Sequence, residues 1–452
     1  MNHGPWHVQE FAGWIESLLR AMTARYGEER ASGFWFRVGT EPNTRPGHWN
    51  DSNAKYVEEY VAVSQTVAKV LPKAKVGLAN MGADGSSWET RVMPMAKGIA
   101  DANARVDFIA MSCYGRGTLR RYSIGTAALC SERLQRMRKL GGERWAQLPA
   151  QSMEYGLQQN TLGVVDEDPG VFGAAWMLAT SVAHARNDVE RGFQWPAMIE
   201  TAFSHDDGAC SAQLSPTPCS LYGGTAWVRA QAGHLFGADA ATAGAFVLEA
   251  PSPGSNATAD PEGRTETSVD GIGGWSQSGD ELRLLLTAFS PSAKTQDGAP
   301  VAVQVTVDRP PSWPQRGAAG LEMRSATLNR TTSTFDTILR ESLLHHPDWL
   351  ANASDPNCYP LSHSRRALLT PAGKYALVQQ QGAAYLAMQR RTFASSEWRD
   401  ASATAGGSVA CGAETCTVTV VMATPSVAAL WVRSGGGRLK SDDGATVLGH
   451  RV

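Results

Sequence analysis

Phe34-Trp35-Phe36-Arg37-Val38-Gly39-Thr40-Glu41-Pro42-Asn43 is the stretch on which the fold turns. Its first five residues are dominated by aromatic side chains, as short strands are, and Gly39 and Pro42-Asn43 then turn the chain out of the sheet. A carboxylate, Glu41, therefore stands where the strand ends. Outward from it, helical and strand patterns alternate from Trp6 to about Gly237, the pattern of βα units around a parallel sheet. Upstream, Phe11, Trp14, Ile15, Leu18, Leu19 and Met22 recur at helical spacing and Gly27 stops the run. Downstream, Asp51-Ser52-Asn53 announces a helix through Val57, Tyr60, Val61, Val67 and Val70 that ends before Pro72. Further strands are expected at 75–79, 106–112, 150–153 and 193–199, and helices at 92–103, 126–140, 171–185 and 225–235.

Five short strands, each followed by one crossover helix, favour a TIM-type (β/α)8 barrel over an open doubly wound sheet. The phosphate fingerprint of the open sheet is missing, since Gly271-Ile272-Gly273-Gly274 opens no helix. The expectation is an α/β chain with a barrel portion over residues 1–240 and a β-sandwich over 241–452. A break of Pro, Gly, Ser, Thr and Asp across 251–274 separates the patterns, after which Leu282, Leu284, Leu286 and Val301, Val303, Val305, Val307 alternate with a period of two. More strands are expected at 376–388 and 417–432, with a helical insertion at 335–350.

The 452 residues carry 41 Lys+Arg against 43 Asp+Glu, a net charge of -2, which excludes a nucleic-acid partner bound through a basic excess. With 42% hydrophobic and 19% charged residues the chain is not disordered. No apolar run reaches the roughly 18–20 residues of a membrane span. The nearest, 171–185, contains Ser181 and His184, so no membrane partner is expected. Residues 1–6 lack the basic and apolar regions of a signal peptide. Cys210 with Cys219 and Cys411 with Cys416 bracket short loops suited to local disulfides, whereas Cys113 and Cys130 sit in apolar contexts that read as buried thiols. With sequons at Asn50, Asn256, Asn329 and Asn352, the balance leans to an oxidising, secreted or extracellular setting.

Barrel active sites lie at the C-terminal ends of the strands. Glu41 ends the first expected strand and Glu154 follows Gln151-Ser152-Met153 in the fourth. Either alone reads as a solvated loop carboxylate, but two facing one another across a barrel mouth fit glycoside hydrolysis, with one protonating the leaving oxygen and the other ionised. Fourteen tryptophans agree, because indole faces stack on sugars. Tyr114, Asn80 and Trp195 belong to other strand ends, and Asn43, His48 and Trp49 follow Glu41, with core or loop roles as the alternative for each. Arg116, Arg120 and Arg121 crowd the loop after the third strand and Arg45 neighbours Glu41. Arginine forks match carboxylates and sulfates, so the carbohydrate substrate is expected to carry uronate or sulfate groups, against the alternative of a solvated loop. The motifs of serine hydrolases, zinc proteases, phosphate loops and thiol redox sites are absent, and neither a metal nor a cofactor is expected.

Phe36-Arg37-Val38-Gly39-Thr40-Glu41-Pro42-Asn43 resembles the Asn-Glu-Pro signature closing the fourth strand of clan A glycoside hydrolases, and Glu154-Tyr155-Gly156 resembles their seventh-strand nucleophile. The segment Trp6 to Asn43, with Arg25-Tyr26-Gly27 before an aromatic strand, is similar to glycoside hydrolase family 39, which holds β-xylosidases and α-L-iduronidase. The resemblance implies a retaining hydrolase with Glu41 as acid/base, Glu154 as nucleophile, Tyr114 on the nucleophile and Trp195 as an aromatic platform. Two departures stand out. Thr40 occupies the position where the clan has an asparagine for the sugar 2-hydroxyl. Counting strands back from Glu41 makes 34–38 the fourth, so the chain is expected to hold strands four to eight, and roughly 30 residues per βα unit puts three units before it. The rival reading is a non-catalytic carbohydrate-binding or structural protein on a truncated barrel.

Overall fold

The computed structural model describes residues 7–44, 48–82, 87–116, 128–158, 170–194, 224–236, 242–249, 267–290, 298–315, 317, 320–333, 336, 350–351, 359–360, 368–369, 398–401 and 407–434. Helix α1 (Val8–Tyr26) ends at Gly27, whose φ of 81° is open to a residue without a Cβ, and the short α2 (Glu28–Ser32) follows. Strand β1 (Trp35–Arg37) then pairs in parallel with β2 (Lys75–Gly77). Between them α3 (Asn53–Val70) starts under Ser52, whose hydroxyl accepts from the Lys55 N–H at 3.1 Å. The two-residue β3 (Met81–Gly82) continues the line of β2 and opens a parallel ladder with β4 (Ile109–Arg116), β5 (Ala150–Gln158) and β6 (Val189–Gln194). Isolated parallel bridges Thr40 to Asn80 and Gly77 to Phe108 join the two parts. The crossovers are α4 (Met93–Asp101), preceded by a π-helical turn over Trp88–Val92, then α5 (Leu129–Leu140) with the one-turn α6 (Glu143–Ala146), and α7 (Val171–Arg186). Helix α8 (Gly224–Phe236) follows β6.

The expected strands are present with shifted bounds. The strand placed at 150–153 runs on to Gln158, and that placed at 106–112 runs on to Arg116, because β4 and β5 pair with each other past their apolar cores. The strand placed at 193–199 begins instead at Val189. No helix among the described residues is long and apolar enough to cross a membrane. Helix α7, the nearest apolar run, is buried almost all round because it lies between two layers.

Beyond α8 the described chain is β. Strands β7 (Thr242–Val247), β8 (Ser268–Ser276), β9 (Glu281–Phe289), β10 (Gly298–Asp308) and β11 (Leu321–Leu328) come first. The two-residue β12 (Leu350–Ala351), β13 (Tyr359–Pro360), β14 (Leu368–Leu369) and β15 (Arg399–Asp400) follow, then β16 (Ser408–Cys411), β17 (Thr415–Thr424) and β18 (Ser426–Ser434). One antiparallel sheet has the order β15-β11-β18-β9-β8-β7 and a second has β10-β17-β16. The run expected as strand at 417–432 is two strands, broken at Pro425, which lets β17 join one sheet and β18 the other. The loop expected through Gly274 is strand from Ser268 onward, since a Cβ on Gly273 would stand 2.6 Å from the Phe246 ring and glycine lets the strands close. The Cys411–Cys416 disulfide closes the β16–β17 hairpin. Cys113 and Cys130 are paired, not separate thiols: β4 brings Cys113 to the start of α5, with Cα atoms 5.6 Å apart. Cys210, Cys219, the strand expected at 376–388 and all but the edges of the helix expected at 335–350 lie outside the described residues.

The six-stranded sheet is covered on both faces. Leu282, Leu284, Leu286 and Ala288 of β9 face Val303, Val305, Val418, Val420 and Met422 of the other sheet, while Leu285 and Phe289 belong to the core around α7. Phe172 and Phe289 meet with ring centroids 5.1 Å apart, and the Thr287 hydroxyl donates to the Ala175 carbonyl at 3.1 Å. This double burial explains the unbroken apolar runs of β9 and β18.

Helix α3 buries one charge with its apolar face. Glu59 lies on the same side as Tyr56, Tyr60 and Val63 and is 4% exposed. Burial pushes its carboxyl from 4.5 up to about 7, with Lys55 opposing. Because the folded state holds this proton more tightly than the unfolded chain, the associated stability is present below pH 4.5 and is lost as pH rises through 7. Glu59→Gln should therefore raise the unfolding free energy by on the order of 1–3 kcal/mol at pH 8 and leave it unchanged near pH 4, as read by urea denaturation at both values. Equal effects at the two pH values would show that Glu59 is not a buried titrating group.

Candidate active site

The site is assembled just past the ends of β1 and β2 and in the C-terminal halves of β4 and β5. Behind it, Tyr56 of α3 is buried, donates its hydroxyl hydrogen to the Val38 carbonyl at 2.9 Å and accepts the Ala79 N–H at 3.2 Å. Burial pushes that hydroxyl's pKa up, so it stays protonated and holds the β1 and β2 ends together. Asn80 directly follows Ala79 and Glu41 comes three residues after Val38, so the polar groups of the site follow at once.

Asn80, fully buried, is at the centre. Its carbonyl accepts the Glu41 N–H at 3.1 Å, and its side-chain amide donates to the Ser112 hydroxyl at 2.7 Å and to Glu154 Oε1 at 2.8 Å. The Tyr114 hydroxyl donates to Glu154 Oε2 at 2.9 Å. Each carboxylate oxygen of Glu154 thus accepts a hydrogen bond, and the side chain is held in one orientation. Glu154 lies within β5, paired with Ser112, and does not end its strand; Tyr114 is likewise inside β4. Glu41 is 2% exposed and adopts φ 43°, the left-handed region that is strained for a residue with a Cβ. Its backbone is fixed from both sides, since its carbonyl accepts from the Thr44 N–H and hydroxyl, each at 2.9 Å. His48 Nδ1 stands 3.3 Å from Glu41 Oε2 and 3.1 Å from the Thr44 hydroxyl.

Arg37 was not among the expected site residues. Its guanidinium donates to the Thr40 hydroxyl at 3.0 Å. Burial lowers its pKa, while Glu154 and Glu41 both favour its charge. Period-two alternation from Glu41 back through Gly39 to Arg37 and Trp35 was the signal available for it.

The other expected residues divide. Asn43 is buried with its amide committed to the protein: it donates to the Gly82 carbonyl at 3.0 Å and the Ser87 hydroxyl at 2.9 Å, and accepts the Gly82 N–H at 2.7 Å. Trp49 is 5% exposed, packs edge-on against Tyr56 and donates to the Ser52 carbonyl at 3.2 Å, a core position behind the site. Arg45, Trp195, Arg120 and Arg121 lie outside the described residues, as does the Arg116 side chain.

Known proteins resemble the chain. The model of glycosyl hydrolases family 39 matches residues 3–212. An alpha-1,4-L-rhamnosidase of Formosa agariphila is 31% identical over 111 residues, which is 24% of this chain and 22% of that protein. The chain thus spans about a fifth of the curated relative it matches. Among solved structures, the GH39 enzyme from Xanthomonas axonopodis pv. citri is 14% identical with a TM-score of 0.55, covering 94% of this chain and 73% of that one. A monomeric beta-xylosidase from Caulobacter crescentus CB15 is 14% identical with a TM-score of 0.52, covering 95% and 75%. These likenesses give the chain a TIM-barrel-like α/β fold followed by a C-terminal β domain.

Asn43 ties the segment after Glu41 to Gly82. Asn43→Ala should cost about 1–3 kcal/mol by leaving the Gly82 N–H without its acceptor, measured by chemical denaturation. Unchanged stability would return Asn43 to the candidates for ligand contact.

Proposed function

We propose that the protein is a retaining O-glycosidase in which Glu154 is the nucleophile and Glu41 the acid/base, acting on an oligo- or polysaccharide. The observation that carries this reading is the shared anchor: one residue, Asn80, binds the backbone of Glu41 and the carboxylate of Glu154. The match of the glycosyl hydrolases family 39 model over residues 3–212 supports the same chemistry. Glu154, aligned by Asn80 and Tyr114, attacks the anomeric carbon while Glu41 gives its proton to the leaving oxygen; a glycosyl ester forms and the leaving group departs as an alcohol. Glu41 then takes a proton from water, which displaces Glu154 and releases the sugar with its configuration retained. Arg37 offsets the charge of the Glu154 carboxylate in the free site.

The reading extends to architecture and substrate. We place the boundary between barrel portion and β-sandwich near residue 240, and take β1 as the fourth barrel strand. Trp14 is 54% and Leu18 42% exposed on α1, and Phe34 is 39% exposed beside β1, an apolar surface suited to further βα units of the same barrel. A monomer of residues 1–452 that melts cooperatively and turns over a glycoside unaided would overturn the partial barrel. For the glycone, Arg116, Arg120 and Arg121 favour a uronate or sulfated sugar, and the rhamnosidase relative makes a neutral deoxysugar the comparison arm.

The carboxylate assignment is tested with aryl xylosides, rhamnosides and uronides. Glu154→Ala should lose essentially all turnover, and Glu41→Ala should lose about 10²–10⁴-fold in kcat, with azide restoring turnover on substrates whose activated leaving groups need no acid. Wild-type rates in Glu154→Ala, or inversion of configuration in the product, would refute the mechanism.

A further inference from the structure

Outside the carboxylate pair, the side chains behind β4 and β5 form a continuous brace. In β4 the residues alternate: Ser112 and Tyr114 reach the site, and Cys113 between them points to the helix layer. Cys113 is fully buried and bonded to Cys130, also buried, in the first turn of α5. The next residue, Ser131, shares a 2.9 Å hydrogen bond with His184 Nδ1 of α7, again with both partners buried. The His184 ring in turn lies edge-on to Tyr155, the neighbour of Glu154, at 5.8 Å. The same α7 histidine therefore touches β5 at Tyr155 and reaches β4 only through Ser131 and the adjoining Cys130–Cys113 disulfide.

We propose that the Cys113–Cys130 disulfide is a positioning element for the reaction, fastening β4 to an α5 that Ser131 and His184 pin to α7, so that the Tyr114 hydroxyl stays on Glu154. This rests on the glycosidase reading above. The two cysteines are 17 positions apart, and β4 ends at Arg116, two residues past Tyr114. The bond ties β4 covalently to its helix layer, and the Tyr114 hydrogen bond tolerates displacements of only a few tenths of an ångström. The disulfide anchors the backbone one residue away from the group that must not move.

A double-mutant cycle separates positioning from mere stability. Tyr114→Phe should lower kcat by about tenfold, the scale of one hydrogen bond to a charged group, with little change in KM. Cys130→Ala and the Cys113→Ala, Cys130→Ala pair should lower kcat by about fivefold or more and lower the melting temperature. In a Tyr114→Phe background the same cysteine changes should still lower the melting temperature but should reduce kcat by less than about twofold further, because the group they position is gone. Multiplying kcat losses would overturn the proposal, as would wild-type kcat in Cys130→Ala. Two readouts need no turnover and so separate this idea from the glycosidase reading. Alkylation of the unreduced, denatured chain should leave Cys113 and Cys130 unlabelled, and labelling of either refutes the bridge. Nitration of Tyr114 by tetranitromethane, followed by mass spectrometry, should be slow in the parent protein and faster in Cys130→Ala; equal rates refute the positioning role even if no glycoside is ever hydrolysed.

Discussion

Asn80 is the constraint on which the site depends. Two glutamates from separate βα units must be set in register, and no direct contact between them could do so, since like charges repel. A neutral residue between them can. The backbone carbonyl of Asn80 takes the Glu41 N–H and its amide gives one hydrogen bond to Ser112 and another to Glu154. The ladder is interrupted between β2 and β3, and at the interruption Asn80 pairs with Thr40 as an isolated parallel bridge. The hydrogen bond from the Glu41 N–H to the Asn80 carbonyl belongs to that bridge, so the sheet's own pairing sets the Glu41 backbone. Tyr56 compensates from behind by hydrogen bonding Val38 and Ala79, so the irregular segment is secured on the helix side as well.

That local irregularity is carried by a core shared between the two halves of the chain. Leu285, Phe289, Val427 and Ala429 of the β domain join the same apolar cluster as Val76, Ile109 and Met111 of the parallel sheet, with α7 between them. The β domain is accordingly a wall of the core that supports β5 and α7, and the N–H of Val171 at the start of α7 finds its acceptor in Asp336 at 3.0 Å. Removing the β domain would strip one face of α7 and expose its apolar residues to water.

The alternation of helix and strand, the two glutamates and the tyrosine were legible in the sequence because each rests on local pattern: aromatic strands, caps at Ser52 and Gly27, and polar residues following apolar runs. Strand ends were less legible. Glu154 reads as a terminator after Gln151-Ser152-Met153, yet β5 continues through it because its pairing partner β4 continues too, and pairing is not a local property. Asn43 and Trp49 show the same limit. Proximity to Glu41 in sequence suggested a cleft, but the turn at Pro42 carries Asn43 to Gly82, and Trp49 packs behind α3. Cys113 and Cys130 look like separate buried thiols because a strand and a helix must first be laid side by side before their sulfurs can meet. Arg37 was hidden for the opposite reason: a charge inside an aromatic strand reads as a flaw in the pattern until the interior of the barrel is seen to be polar at that level.

Glu41 and Thr40 show what this polar interior requires of the backbone. A glutamate at φ 43° is uphill by on the order of 1 kcal/mol or more, and such a cost persists only where the surroundings over-determine the conformation. Here they do: Asn80 holds the N–H, Thr44 holds the carbonyl twice, and the carboxylate is turned inward beside His48. A glycine would relieve the strain but would bring no carboxyl. The neighbouring Thr40 is too short to reach across the site as an asparagine would, and its hydroxyl is engaged by Arg37. The guanidinium beside the two carboxylates, rather than an amide, is therefore the nearest donor that β1 presents, and because it stays charged it meets any group in the cleft as a cation.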